Sequence, residues 1–166
     1  MDSGLLLARM VFGLLMAAHG TQKLFGWFGG YGLAGTGGFF EQLGFKPGRL
    51  FAAAAGGTEL AAGLLVAAGL LGPLGPALIV SVMIVAMATV HWQHGLFAQT
   101  NGIEVPLLYA VAAAALALTG SGAYSLDALA GLSWSVEVIW IALGAGVLGG
   151  FANLAIRKTA PAPAHV

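Results

Sequence analysis

Five stretches of this chain, about 4–25, 49–71, 74–94, 105–120 and 134–156, are nearly unbroken apolar sequence. A helix of roughly 20 residues crosses the ~30 Å hydrocarbon core of a bilayer. No water reaches the peptide groups there, so each run satisfies its own hydrogen bonds as a helix. Composition agrees, with 59% hydrophobic and only 7% charged residues, against about 25% charged in a soluble domain. The expected fold is therefore an all-α integral membrane helical bundle. It has four core transmembrane helices plus a fifth C-terminal helix, in a single domain over residues 1–156. The 105–120 run is short for a span, so it starts near Ile103 or sits where the bilayer thins. Residues 157–166 are rich in Pro and Ala and read as a disordered tail, with His165 inert inside it. Leu5–Leu24 lacks the leading cations of a cleaved leader and has Arg9 within it, so it reads as a retained span.

Charge and cysteine content remove several function classes. The formal net charge is zero, so no basic field draws nucleic acid. There is no cysteine, which excludes disulfides, thiolate metal sites and CxxC redox chemistry. Threading five spans puts Lys23, Lys46, Arg49, Arg157 and Lys158 on one side. The excess of cations in cytoplasmic loops then sets the C-terminus in the cytoplasm and the N-terminus outside.

Between the first two spans lies a Gly/aromatic interfacial loop. Residues 26–48 hold nine glycines among Trp27, Phe28, Tyr31, Phe39, Phe40 and Phe45. Thr36–Leu43 fits a short interfacial helix, with Phe39, Phe40 and Leu43 dipping into lipid and Glu41 and Gln42 facing out. The Gly30-x-Gly32-x-x-Gly35 pattern matches a dinucleotide fingerprint by letters alone. No strand precedes it, so it is a chance match. Gly72–Pro76 marks the turn between spans two and three. Ser125 fits a helix cap, with Asp127 in the first turn behind it. Rows of small residues at four-residue spacing, Ala53/Gly57/Ala61, Ala110/Ala114, Ala113/Ala117 and Gly146/Gly150, read as helix-packing stripes.

Glu59 sits in the middle of the second span. A charge there costs about 2.5–3.5 kcal/mol on insertion scales, so it faces the bundle interior and finds a partner. Helical rise puts Glu59 roughly 15 Å below the surface and His19 about 7–8 Å below it. Lys23, His91, His94 and Glu104 fall nearer that surface, with Tyr109 one turn beneath Glu104. Arg9 approaches Glu59 from the opposite side and is the expected ion-pair partner. These residues suit a quinone headgroup, which needs hydrogen bonds and proton exchange at its two oxygens. In that reading Glu59, His19 and His91 carry the proton and hydrogen-bond chemistry. Lys23, Trp27, Tyr109, Glu104 and His94 line the quinone or substrate site. The spacing selects no metal, because His91 and His94 lack an accompanying carboxylate motif. An ion pair that only locks helices together is the competing reading.

The run Ala18–Gly30 (AHGTQKLFGWFGG), then Gly32–Thr36 (GLAGT) and Phe39–Gly44 (FFEQLG), resembles the DoxX family of small bacterial membrane proteins. Gly57–Gly63 around Glu59, Thr89–His91 and Tyr124–Asp127 also look like that family, so the resemblance covers about residues 5–130. It implies a multi-pass protein of the bacterial inner membrane with a four-helix core, and the 134–156 helix lies beyond that unit. His19, Lys23, Glu59, His91 and Asp127 are the matching polar positions. The family is similar to the DoxD subunit of thiosulfate:quinone oxidoreductase. That implies a subunit of an oxidoreductase complex, working with quinone or quinol near the cytoplasmic face. The alternatives are a non-catalytic scaffold that recruits a soluble redox enzyme through residues 26–48, or a small transporter. A homo-oligomer is a further expectation, from the Gly/Ala-rich fifth helix.

Overall fold

The computed structural model describes residues 2–158. Five long helices build the bundle: α1 (Asp2–Phe25), α3 (Gly48–Ala68), α4 (Leu74–Ala86), α5 (Glu104–Thr119) and α7 (Val136–Ala155). A short helix α2 (Gly32–Gln42) lies in the Gly/aromatic loop, and a single turn α6 (Leu126–Leu129) precedes α7. Helix α4 continues through a widened π turn (Met87–His91) and a tightened 3-10 turn (Trp92–His94). That continuation gives it a length that spans, as α1, α3 and α7 do. Helix α5 has 16 residues, about 24 Å at helical rise, and is shorter than the four helices long enough to cross a bilayer. Among the described residues no strand forms, so the Gly30–Gly35 pattern has no dinucleotide fold around it.

The core draws on all five long helices: Met16 from α1, Ala62 and Val66 from α3, Ile79 and Met83 from α4, Ala113 and Ala117 from α5, Ile139 and Leu143 from α7. The fifth span is thus a packed member of the bundle. Its Gly146 and Gly150 abut the α4 backbone at Ala77 and Ser81, as their spacing implies. Without a hydrophobic drive between helices in lipid, such close backbone approach is what holds them together.

The tightest seam joins α1 to α3. A Cβ added at Gly13 would stand 2.6 Å from the Ala67 backbone nitrogen, and one at Gly63 would strike Ala17 and Gly13. The expected row on α3, Ala53/Gly57/Ala61, is not the packing row. Ala61 is exposed and Gly57 has open space beside its Cα. The row that packs is Ala52, Gly56 and Gly63, all buried. Spacing alone could not choose between two adjacent rows of small residues on one Ala-rich helix.

Each end of the bundle is fastened. At one end Ser125 caps α6 through its Oγ, 3.1 Å from Ala128 N, as the sequence predicts. Asp127 does more than sit in the first turn. Its buried carboxylate accepts from Leu71 N at 2.8 Å, Gly72 N at 2.7 Å and Trp134 Nε1 at 3.0 Å. It therefore ties the α3–α4 turn to the start of α7. At the other end Lys158 N donates to Gly44 O at 2.9 Å, and Arg157 Nε donates to Leu43 O. The tail expected to be disordered from 157 thus begins with two residues held against the α2–α3 corner. His165 lies outside the described residues.

Gly63→Ala should lower stability by about 1–3 kcal/mol, because the new methyl meets backbone that cannot yield. Gly57→Ala, on the same helix with open space, should be neutral or raise it by about 0.5–1 kcal/mol. Thermal unfolding in mild detergent compares the two. In the same assay Asp127→Ala strands three donors, each costing about 1–3 kcal/mol if unmet. A melting temperature equal to the parent protein's would show that Asp127 is not a fastener.

Candidate functional site

Helical side chains tilt toward the N-terminus of their own helix. Helices α1 and α3 run antiparallel, so a residue near the end of α1 leans into the membrane while one on α3 leans out to meet it. Lys23 and Glu59 are placed this way. Gly20 and Gly56, each three residues ahead of them, let the two backbones close up, and the Lys23 stem passes over Gly56. The Lys23 ammonium donates to Glu59 Oε1 at 2.8 Å and Oε2 at 2.6 Å. Glu59 is buried, while the Lys23 side chain keeps 26% of its surface accessible.

The expected Arg9–Glu59 pair does not form. Arg9 is buried one third of the way along α1 and leans the other way. Its guanidinium donates to the carbonyls of Ser121 and Tyr124, the latter at 2.6 Å, and reaches Ala67 O at 3.5 Å. It satisfies the ends of α3 and the α5–α6 connection, with Ser121 Oγ 3.4 Å from Asp127 Oδ2 beyond it. Both cations suit Glu59 by depth, and side-chain direction decides between them.

The Lys23–Glu59 pair opens onto a cavity of about 790 Å³. Helices α2, α3 and α4 form its walls, with Asn153 of α7 at one edge. The walls are mainly apolar and carry Phe39, Phe40, Phe45 and Phe51, the last three in consecutive ring contact at 5.9 and 5.3 Å. Hydroxyls from Thr58, Ser81 and Thr89 and the amide of Gln22 add a few polar points. On α4 the wall runs from Ser81 into the π turn. Thr89 Oγ1 donates back to Val85 O at 2.8 Å, a bond that loosens the helical ladder. Single π turns recur at functional sites because they re-aim the residues that follow. Here the π turn ends on His91, which lines the cavity. His91 Nδ1 lies 2.8 Å from Asn101 O. A carbonyl only accepts, so Nδ1 carries the proton and Nε2 of the neutral ring is left as an acceptor.

The cavity therefore collects Lys23, Glu59 and His91 from the expected set and leaves the others outside. His19 is exposed, bonds Gln22 Oε1 at 3.1 Å and meets the Tyr109 ring edge-on at 5.9 Å. Tyr109 in turn packs against Phe12, so it bridges α1 to α5. His94 donates to Val90 O at 2.9 Å, and Glu104 accepts from Ala98 N at 2.7 Å, which closes the 95–104 loop. Trp27 is exposed beside Phe25. These five residues share the end of the bundle with the cavity but do not line it. Among the described residues no group of three His, Asp or Glu side chains comes together as a metal site. The cavity residues not anticipated were the hydroxyls, Gln22 and the apolar wall, since Phe39, Phe40 and Leu43, expected to dip into lipid, line the cavity. Ser81 and Thr89 share one face of α4 at an eight-residue interval, and that was the available signal.

No curated protein and no solved structure matches the chain. The sequence model of the DoxX family does, over residues 4–92. The match takes in the Ala18–Gly30 run, Glu59 and His91, and stops short of Tyr124–Asp127. With over half of its length so matched, and with helices long and apolar enough to cross a bilayer several times, the chain is a membrane protein of the DoxX family.

Proposed function

We propose that this protein is the inner-membrane component of an oxidoreductase complex and that it holds a quinone or quinol in the cavity beside Lys23 and Glu59. The observation that carries the reading is an ion pair with a buried carboxylate, forming the charged wall of a pocket built mainly from aromatic and aliphatic side chains. A pair needed only to lock two helices gains nothing from facing a cavity. A quinone presents a flat apolar ring with an oxygen at either end, and this lining fits both parts. When bound, a quinone supplies two-electron chemistry coupled to the gain or loss of two protons.

The residues divide the remaining work. Lys23 offers an N–H donor to a ring oxygen, since its ammonium has three and Glu59 takes two. Glu59 accepts a proton from a hydroxyl or returns one to an oxygen. His91, with Nδ1 held by Asn101 O, does the same at Nε2. The Phe40–Phe45–Phe51 cluster excludes water and holds the ring plane. The cations Lys23, Lys46, Arg49, Arg157 and Lys158 on one side of the bundle support a cytoplasmic position for this pocket. A soluble redox enzyme on that face would deliver or remove the electrons.

A second reading rests on the exposure of Trp27, Phe28 and Tyr31. In it the 26–48 segment recruits that soluble enzyme and the cavity carries no ligand.

In nanodiscs, Glu59→Gln should weaken binding of a short-tailed quinone about 10- to 100-fold, the loss of one hydrogen bond to a charged group. His19→Ala should leave it unchanged. Lys23→Met alone should also lower the melting temperature, because it leaves a buried carboxylate unpaired at about 3–5 kcal/mol. Adding Glu59→Gln to Lys23→Met should restore the melting temperature but not the quinone affinity. Parent-like affinity in folded Glu59→Gln protein removes the quinone reading. The scaffold reading makes a separate forecast. Replacing Trp27, Phe28 and Tyr31 by serine should abolish co-purification of a soluble partner while Glu59→Gln keeps it. Retained co-purification in the serine variant would eliminate that reading.

A further inference from the structure

We propose that the corner between α2 and α3, closed by the end of α7, is a binding site for the phosphate of an anionic phospholipid. Four cations gather there from two distant parts of the chain. Lys46 precedes α3 and Arg49 lies in its first turn, and Arg157 and Lys158 follow α7. They are brought together by the backbone. Lys158 N bonds Gly44 O at 2.9 Å, Arg157 Nε bonds Leu43 O, and the Arg49 stem packs against Gly37 of α2.

Like charges do not collect without compensation. Among the described residues the one salt bridge is Lys23–Glu59, so none of these four cations has a carboxylate partner there. The acid that lies nearest in sequence, Glu41, turns to the start of α3, where its Oε1 accepts from Gly48 N at 3.1 Å and it pairs with none of the four. Lys46, Arg49 and Lys158 are exposed. The corner also presents the start of α3, a 21-residue helix whose Pro47 cap provides no side-chain acceptor. Gly48 N is taken by Glu41, and Leu50 N and Phe51 N bond Pro47 O, so the four side chains rather than the helix end carry the site. An anion completes this arrangement, and phosphate oxygens suit both the guanidinium fork and the ammonium.

The source of the phosphate follows from what surrounds it. The corner tops the apolar outer surfaces of α3 and α7, where Leu50, Phe151 and Ile156 are exposed. A headgroup at the cations therefore has its acyl chains lying along helix faces that already need lipid. Basic pockets between spans on the cytoplasmic side are where anionic lipids are held. A soluble phosphate would use the cations and leave that apolar surface without a role.

The test is native mass spectrometry of the full chain released from mild detergent and titrated with phosphatidylglycerol, cardiolipin or phosphatidylcholine. The parent protein should retain the two anionic lipids in preference to phosphatidylcholine. The triple variant Lys46→Gln, Arg49→Gln, Lys158→Gln should lose that preference by about tenfold or more, since each basic residue near an anionic surface contributes about fivefold. Arg157 is kept, because its Nε holds the corner together. A charge-preserving variant, Lys46→Arg with Lys158→Arg, should bind as the parent does. Equal retention of phosphatidylcholine, or an undiminished preference in the triple variant, overturns the proposal. Competition by glycerol phosphate at the concentration of the lipid itself overturns the assignment to lipid.

Discussion

A carboxylate carried into hydrocarbon must be answered by a cation, and in this protein that demand organises the bundle. Glu59 is answered by Lys23, and the pairing holds only because α1 and α3 lie almost backbone to backbone. Gly20 and Gly56 set that distance. A larger residue at either position would separate the two helices and leave the ammonium short of the acid. Desolvation makes such a pair expensive, and two bonds below 3 Å with part of the ammonium still open to the cavity offset the cost. The pocket, its charged wall and the chemistry proposed for it are all consequences of that crossing.

The sequence carried much of this. Apolar run lengths marked every long helix within a few residues, and Ser125 announced its cap. The burial of Glu59 followed from the cost of exposing it to lipid. What the sequence could not supply was direction around and along each helix. Depth alone made Arg9 and Lys23 equivalent partners for Glu59. The tilt of side chains toward their helix N-terminus sends Arg9 to the carbonyls of Ser121 and Tyr124 instead. His19 was lost to a smaller effect. It stands four residues from Lys23, an angular offset of about 40°, and that suffices to move it from the α3 groove to the flank facing Tyr109. Asp127 was underread because two of its three donors, Leu71 and Gly72, are remote in the chain. The placement of Arg157 and Lys158 rests on backbone bonds to Leu43 and Gly44, which composition does not encode.

The part of the chain that the DoxX family matches ends at residue 92, yet the remainder is not an accessory. Ala113 and Ala117 of α5 and Ile139 and Leu143 of α7 complete the core that Met16, Val66 and Ile79 begin. Asp127, also outside the match, fastens the turn that joins α3 to α4. The matched region supplies the ion pair and most of the cavity, and the unmatched helices supply the surface that keeps it in shape.

Close glycine contacts join α1 and α2 to α3, and α4 to α7, while Gly75 of α4 meets α3 at Ala62 and Val66. Asp127 fastens the turn that links α3 to α4 at one end of the bundle. At the other end the carbonyls of Leu43 and Gly44 accept from Arg157 and Lys158, which joins the α2–α3 corner to the close of α7. Leu43 is itself a wall residue of the cavity, so a clasp at the very end of the last helix reaches the pocket without touching the ion pair.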